Sequence, residues 1–202
     1  MEELQFYKKN IKIQIIKTDN FNSNTYILEY LSFVIVVDPG ETESKKTIEW
    51  LLNNNKKIDY CIITHEHFDH NIGYTALVNK FEFKTICSKE TSLALNNSKA
   101  NLSYYYNIPF ETKVKNLSNS PGFLKIIKTP GHSKGSLCFL LENLLFSGDT
   151  IIKKEFLVTK LPGGNKEDLT ESFKKIDKIS KMINDLIIFP GHGDFFKYSN
   201  FI

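Results

Sequence analysis

Arginine is absent from all 202 residues, so the 26 basic side chains are lysines. Phosphate and nucleic-acid recognition favours the forked guanidinium, and the formal net charge is only +3. A nucleic-acid-binding protein is therefore not expected. Cysteine is sparse as well: Cys61, Cys87 and Cys138 are odd in number and each lies in an apolar, strand-like run. Their spacing matches no zinc pattern, so they read as buried free thiols of a reducing compartment. No run is long and apolar enough to span a bilayer. Residues Met1 to Asn10 place acids first and have no apolar core, so no secretory signal is expected. These absences predict a cytoplasmic protein that engages neither membrane nor nucleic acid. A hydrophobic content of 41% with 24% charged residues suits an ordinary globular chain. Residues 1–202 fit a single domain whose core needs no disulfide, with no internal repeat. Oligomeric state leaves no trace in the sequence.

Histidine is scarce too, and its placement is informative. Three of the five fall in Thr64-His65-Glu66-His67-Phe68-Asp69-His70. Ile58 to Ile63 before it reads as a buried strand, and Ile72, Leu77 and Val78 after it suggest the apolar face of a helix. The run thus falls on the turn between a strand end and a helix start. Neutral imidazole and carboxylate are ligands of zinc and other first-row metals. His65 and His67, two apart in an extended turn, can point the same way, while Asp69 and His70 can face a second metal. His132, in Thr129-Pro130-Gly131-His132-Ser133-Lys134-Gly135-Ser136, and His192, in Phe189-Pro190-Gly191-His192-Gly193-Asp194, each follow an apolar run in a Pro-Gly turn. Asp149, in Phe146-Ser147-Gly148-Asp149-Thr150, repeats the pattern with a carboxylate. One histidine alone is usually a surface or hydrogen-bonded core residue. Five beside Gly, Asp or another His at strand ends predict one shared metal site.

The series His-x-His-x-Asp-His, Gly-His, Gly-Asp, Gly-His resembles the signature of the metallo-β-lactamase superfamily, over about Asn24 to His192. Val36-Val37-Asp38-Pro39-Gly40 is similar to a further strand-end motif of that family. Within it, the chain looks most like the small glyoxalase II-type (hydroxyacylglutathione) hydrolases, which Ser147-Gly148-Asp149-Thr150, Leu161-Pro162-Gly163-Gly164 and Pro190-Gly191-His192-Gly193 also match. The resemblance implies that His65, His67 and His132 hold one metal, that Asp69, His70 and His192 hold the other, and that Asp149 bridges them. It implies two divalent ions, zinc foremost with iron or manganese as alternatives. It gives Asp38 the role of a buried acid that hydrogen-bonds the metal loop. The family tends to carry Gly-Arg before its Pro-Gly-Gly segment; here Leu157-Val158-Thr159-Lys160 stands there, and Lys160 offers a point charge for substrate instead of a fork.

Along the chain, Ile11 to Ile16 alternate Ile with Lys and Gln, an antiparallel strand with one face wet. Thr25 to Glu29 and Ser32 to Val37 continue a meander. Glu43 to Asn54 reads as an amphipathic helix with Ile48, Leu51 and Leu52 inward. Thr85 to Cys87 is a strand, and Glu90 to Leu95 a short helix. Residues 96–122 are the least regular part; their aromatics either fill the core beneath a loop or form a wall over the metals, with Tyr105 a candidate substrate contact. Leu124 to Thr129, Ser136 to Leu141 and Leu144 to Ser147 are strands. Asn165 and Asp168 resemble a capping pair for a helix with Leu169, Phe173, Ile176 and Ile179 on one face. Leu186 to Phe189 delivers His192. The alternation predicts an α/β, four-layer αβ/βα sandwich, the metallo-β-lactamase fold, with the metals at one sheet edge.

Two caged cations acidify a bridging water, polarise a carbonyl and steady a leaving group. A thioester suits such a site, because a thiolate leaves without a strong general acid, and Asp69 is the candidate proton shuttle. The expected function is metal-dependent hydrolysis of an S-acylglutathione-type thioester, a small-molecule substrate. The alternative is a persulfide dioxygenase of the same fold, with one iron held by two His and one Asp of the same set. True β-lactamases usually lack the bridging Asp, flavodiiron proteins carry Glu where His67 stands, and the superfamily's nucleases add domains or long arms. A non-catalytic module would be expected to have lost ligands.

Overall fold

The computed structural model describes residues 4–18, 20–153 and 159–200. Four strands form an antiparallel meander: β1 (Leu4–Lys8), β2 (Ile11–Lys17), β3 (Asn24–Tyr30) and β4 (Phe33–Val37). After β4 the chain crosses over through α1 (Lys45–Asn53) to β5 (Tyr60–Ile62), and through α2 (Tyr74–Lys80) to β6 (Lys84–Ile86). Both new strands pair in parallel, giving the order β1-β2-β3-β4-β5-β6. α3 (Lys89–Ala94) follows. The second sheet holds β7 (Lys125–Lys128), β8 (Leu137–Leu141), β9 (Leu144–Gly148), β10 (Ile187–Pro190) and β11 (Phe196–Lys197), in the order β11-β10-β9-β8-β7. α4 (Lys166–Ser180) makes the crossover from β9 to its parallel neighbour β10.

Three apolar layers hold these parts together. Ile11, Ile13 and Ile15 of β2 meet Phe139, Phe146 and Phe189 between the sheets. Val36, Cys61 and Ile63 pack under Trp50, Leu51, Tyr74 and Leu77 of α1 and α2. Cys138, Leu145 and Ile188 pack under Ile176 of α4, with Phe173 and Ile179 beside it. Helices, sheet, sheet and helix are thus stacked as the expected four-layer α/β sandwich. Among the described residues, no helix is long and apolar enough to cross a membrane.

Local expectations needed correction where tertiary packing overrode pattern. The polar side of β2 is mostly covered: Gln14 is 3% exposed, and only Lys12 on that face keeps 32% side-chain exposure. There Gln5 Nε2 donates to Gln14 Oε1 at 3.0 Å, and Lys12 Nζ stands 5.4 Å from the Trp50 ring. α1 begins at Lys45, because Glu43 and Ser44 adopt positive φ in a preceding 3₁₀ turn. Its buried face is Thr47, Trp50 and Leu51, the i, i+3, i+4 set, while Leu52 points to solvent at 54% exposure. The Glu41 carboxylate accepts from Lys46 N and Thr47 N at 2.8 and 3.1 Å and so satisfies the helix start. α4 follows expectation, with Asn165 Oδ1 accepting from Asp168 N at 2.9 Å. β1 and β11 carried too little pattern to be anticipated.

β4 and β5 are parallel, as are β9 and β10, and β7 runs with the latter pair across two antiparallel steps. The loops leaving the C-terminal ends of these five strands meet at one edge of the sandwich. Asn24 N donates to Gly191 O at 2.7 Å and Leu137 N to Thr64 O at 2.8 Å, which ties the two sheets together there.

Candidate metal centre

The loop after β5 is held by groups with no freedom to relax. Asp38, at the end of β4, adopts the left-handed region with φ 48°, and its buried carboxylate reaches across to the next strand. Oδ1 accepts from Thr64 N at 2.7 Å and Oδ2 from Thr64 Oγ1 at 2.6 Å. With its proton committed to Asp38, the Thr64 hydroxyl can only accept from His65 Nδ1, 3.0 Å away. That fixes the His65 tautomer and leaves Nε2 with a free lone pair, the arrangement by which outer partners orient a metal-binding imidazole. Asn71 clamps the loop from the other end, its Nδ2 donating to the carbonyls of His65 and His67, both at 2.8 Å.

The other ligands arrive from the second sheet. His132 follows β7 in a loop anchored to α4 by Asn165 N to Gly131 O at 2.8 Å and Ser172 Oγ to Pro130 O at 2.7 Å. Asp149 ends β9. His192 follows β10, where Asn24 Nδ2 donates to the carbonyls of Pro190 and Gly193. All seven anticipated ligands therefore converge. The ligand atoms of His65, His67 and His132 lie within 4.8 Å of one another, and so do those of Asp69, His70 and His192. Asp149 stands between the two triads, Oδ2 being 3.5 Å from both His132 Nε2 and His192 Nε2. Asp38, His65 and His70 form a third group of the same compactness. Both Asp38 oxygens are already engaged by Thr64, so its place is behind the ligands, 3.4 Å from His70 Nδ1.

The chemistry of the set fits divalent cations. His65 Nε2, His67 Nε2 and Asp149 Oδ1 are buried without a hydrogen-bond partner among the described residues, a costly state unless a ligand completes them. His67 Nδ1 and His132 Nε2 face each other at 2.9 Å, a separation that calls for a proton or a cation between two lone pairs. Burial, with the neighbouring His70 and His67, holds His65 well below the usual imidazole range; burial and His132 push His67 down to about 3. In the other triad burial is outweighed. Asp69 and Asp149 hold His70 well above its ordinary value, and hydrogen bonds to Asp149 and Asp69 raise His192 to about 9. Burial would raise both carboxyls, but His70 and His192 hold Asp69 below the carboxylate range and Asp149 well below it.

A cleft of about 630 Å³ opens over the cluster, lined by Asp69, Asp149 and the histidines His67, His132 and His192 at its base. Phe21, Phe68 and Tyr106 make one wall, with ring centroids 4.9 to 6.0 Å apart; Ile152 and Leu161 also line it. Tyr105 is 59% exposed and is not among the lining residues; its neighbour Tyr106 is. Lys160 is likewise exposed and outside the lining, which Leu161 joins instead. Leu157 and Val158 lie outside the described residues. In the 96–122 segment Phe110 fills core, Tyr106 lines the cleft, and Leu102 belongs to both the core cluster and the cleft lining. Asn71, Thr64 and Asn24 were missed; their one signal in the sequence is a short polar side chain beside a ligand or at a strand end.

Comparison with known proteins agrees with this geometry. A model of the metallo-β-lactamase superfamily matches residues 18–192. A protein described as a probable metallo-hydrolase of Methanocaldococcus jannaschii is 31% identical, covering 86% of this chain and 89% of its own length. The hydroxyacylglutathione hydrolase of Pseudoalteromonas translucida is 28% identical over 71% of this chain, which spans about half (51%) of that enzyme. Among solved structures, the BLEG-1 B3 metallo-β-lactamase superposes with a TM-score of 0.82 at 25% identity, covering 92% of this chain and 93% of that one. The strand order, the ligand cluster at the sheet edge and these matches lead to one assignment: the chain belongs to the metallo-β-lactamase superfamily.

Proposed function

We propose that this metal-dependent hydrolase cleaves a thioester of the S-acylglutathione type, using two divalent cations, zinc foremost, at the sheet edge. The observation that carries the reading is Asp149, whose carboxylate oxygen reaches one histidine of each triad at the same 3.5 Å. A shared acid between two complete triads suits two cations. A single iron on two His and one Asp would leave the second triad without a task, which disfavours the dioxygenase alternative. Bound divalent cations supply an acidified water and a Lewis acid for the carbonyl.

The chain's own residues do the rest. Asp38 and Thr64 keep His65 in its ligating tautomer, and Asn71 holds the backbone of both His65 and His67. Asp69 retains 17% side-chain exposure against 9% for Asp149, so it is the carboxylate placed to pass a proton to solvent. Its lowered proton affinity suits a relay that quickly gives up what it takes. Outside the ligand cluster, Lys17 is the one charged group among the described lining residues, and it is paired with Asp194 at 2.7 Å. A thiolate, with an ordinary pKa of about 8.5, departs without an acid. The wall of Phe21, Phe68 and Tyr106 receives the acyl part. The similarity to a hydroxyacylglutathione hydrolase supports the same substrate class.

The test is thiol release from S-D-lactoylglutathione by protein purified without added metal. Release that depends on the bound cations and vanishes in His67→Ala supports the reading. One iron per chain with O₂ uptake on glutathione persulfide, and no thiol release, replaces the hydrolase with a dioxygenase.

A further inference from the structure

Glu66 stands between two ligand histidines, yet its carboxylate belongs to neither triad. The residue is 5% exposed. Its Oε2 accepts from Ser133 Oγ at 2.8 Å and from Thr91 Oγ1 at 3.2 Å. Each hydroxyl is backed by another: Ser136 Oγ lies 2.9 Å from Ser133 Oγ, and Ser88 Oγ donates to Thr91 Oγ1 at 2.9 Å. Two hydroxyl chains thus end on one oxygen, one from the His132 loop and one from the start of α3. Gly135 passes against the junction so closely that a Cβ there would lie 2.6 Å from Glu66 Oε2 and 2.2 Å from Thr91 Oγ1.

We infer that Glu66 is a positioning residue that sets His132 against His65 and His67, and so governs occupancy of the three-histidine triad independently of the other. His132 is the one member of that triad contributed by the second sheet, and Ser133 beside it is bonded to Glu66. The Asp69, His70 and His192 triad is held by different contacts: Ser23 Oγ on the Asp69 carbonyl at 2.7 Å, and Asn24 on the turn around His192. Nothing in the ligand pattern assigns the residue between the two histidines this role. The inference rests on the proposed reading that both triads hold cations.

The experiment loads the full chain with Co²⁺, dialyses it against a competing chelator, and follows metal content and the visible spectrum. His132→Ala and His192→Ala provide the reference spectra for loss of each cation. Glu66→Ala is expected to lose the cation that His132→Ala loses, its affinity falling on the order of 10-fold or more, while the His192-dependent cation stays. Glu66→Gln, whose amide oxygen can accept the same two hydroxyl bonds, is expected to restore it. Ser133→Ala should repeat the selective loss, and the double variant Glu66→Ala/Ser133→Ala should add little to either single change. The inference is overturned if Glu66→Ala keeps both cations at wild-type affinity. It is also overturned if Glu66→Ala and Ser133→Ala lose both cations in parallel with the thermal unfolding transition, as a mere packing defect would. If the unaltered chain takes up no divalent cation, the proposed function falls and takes this inference with it.

Discussion

The two triads are made of similar ligands and differ in what surrounds them. His65 and His132 are almost wholly covered, and His67 with them, whereas His192 and Asp69 keep 20% and 17% side-chain exposure. Where imidazoles are buried together, burial and mutual repulsion hold His65 well below its ordinary range and His67 down to about 3. Where a carboxylate joins, its charge and Asp149 reverse the balance, and His192 rises to about 9. His65 and His67 are therefore set as neutral nitrogen donors. The other triad is an ion-paired histidine and aspartate set that must release protons before it can bind a cation. The carboxylate, more than the degree of burial, decides the proton load of such a cluster, since His70 is 0% exposed and its proton affinity is still raised.

The sharpest way to break this contrast is to remove what the triads share. Asp149→Asn is expected to weaken both cations by more than the ~10–100-fold that loss of an outer partner costs, read by chelator competition; wild-type affinity at either triad would show that Asp149 serves only the other. Asp38→Ala comes next. It strips Thr64 of the acceptor for its N–H and O–H and releases the His65 tautomer, so metal affinity should fall ~10–100-fold. Two orphaned buried donors should also lower unfolding stability by about 1–3 kcal/mol each, measured in denaturant.

Proton competition sharpens the contrast without mutation. His192 is held protonated up to about pH 9, so the affinity of its triad should climb with pH until then, about tenfold per unit for each proton displaced. His67 stays neutral down to about pH 3, so the three-histidine triad should show a much flatter profile between pH 6 and 9. Equal slopes for the two cations would contradict the comparison. Gly40→Ala acts on one side only, because a Cβ there would lie 1.9 Å from the Asp69 carbonyl. It should cost about 1–3 kcal/mol of stability and weaken the Asp69 triad while sparing the other. The smallest effect belongs to the cleft. Tyr106→Ala should raise KM by roughly fivefold, the equivalent of about 1 kcal/mol of apolar contact, whereas Tyr105→Ala should leave it unchanged.

The seven converging side chains were legible because each is a His or Asp that follows a strand and stands beside a glycine or a helix start, a pattern local to a few residues. The layers were legible for the same reason: apolar period and turn residues are written in short windows. What escaped depends on partners far apart in sequence. β2 looked half wet because nothing local says that Gln14 will be buried against Gln5 of β1. Leu52 looked inward until two positive-φ residues, Glu43 and Ser44, moved the helix start and turned Trp50 to the core. Tyr105 and Tyr106 are indistinguishable by type, and only the 3₁₀ turn at Ser103–Tyr106 decides which ring reaches Phe68. Glu66 and Asn71 show no chemistry until the loops that they join are brought together.

The central claim, two cations on two distinct triads bridged by Asp149, is tested most directly by counting metal. Equilibrium dialysis of the purified chain at neutral pH, followed by elemental analysis, should give two divalent ions per chain. His132→Ala and His192→Ala should each retain one, and not the same one. A single ion per chain, abolished equally by either substitution, would contradict the account.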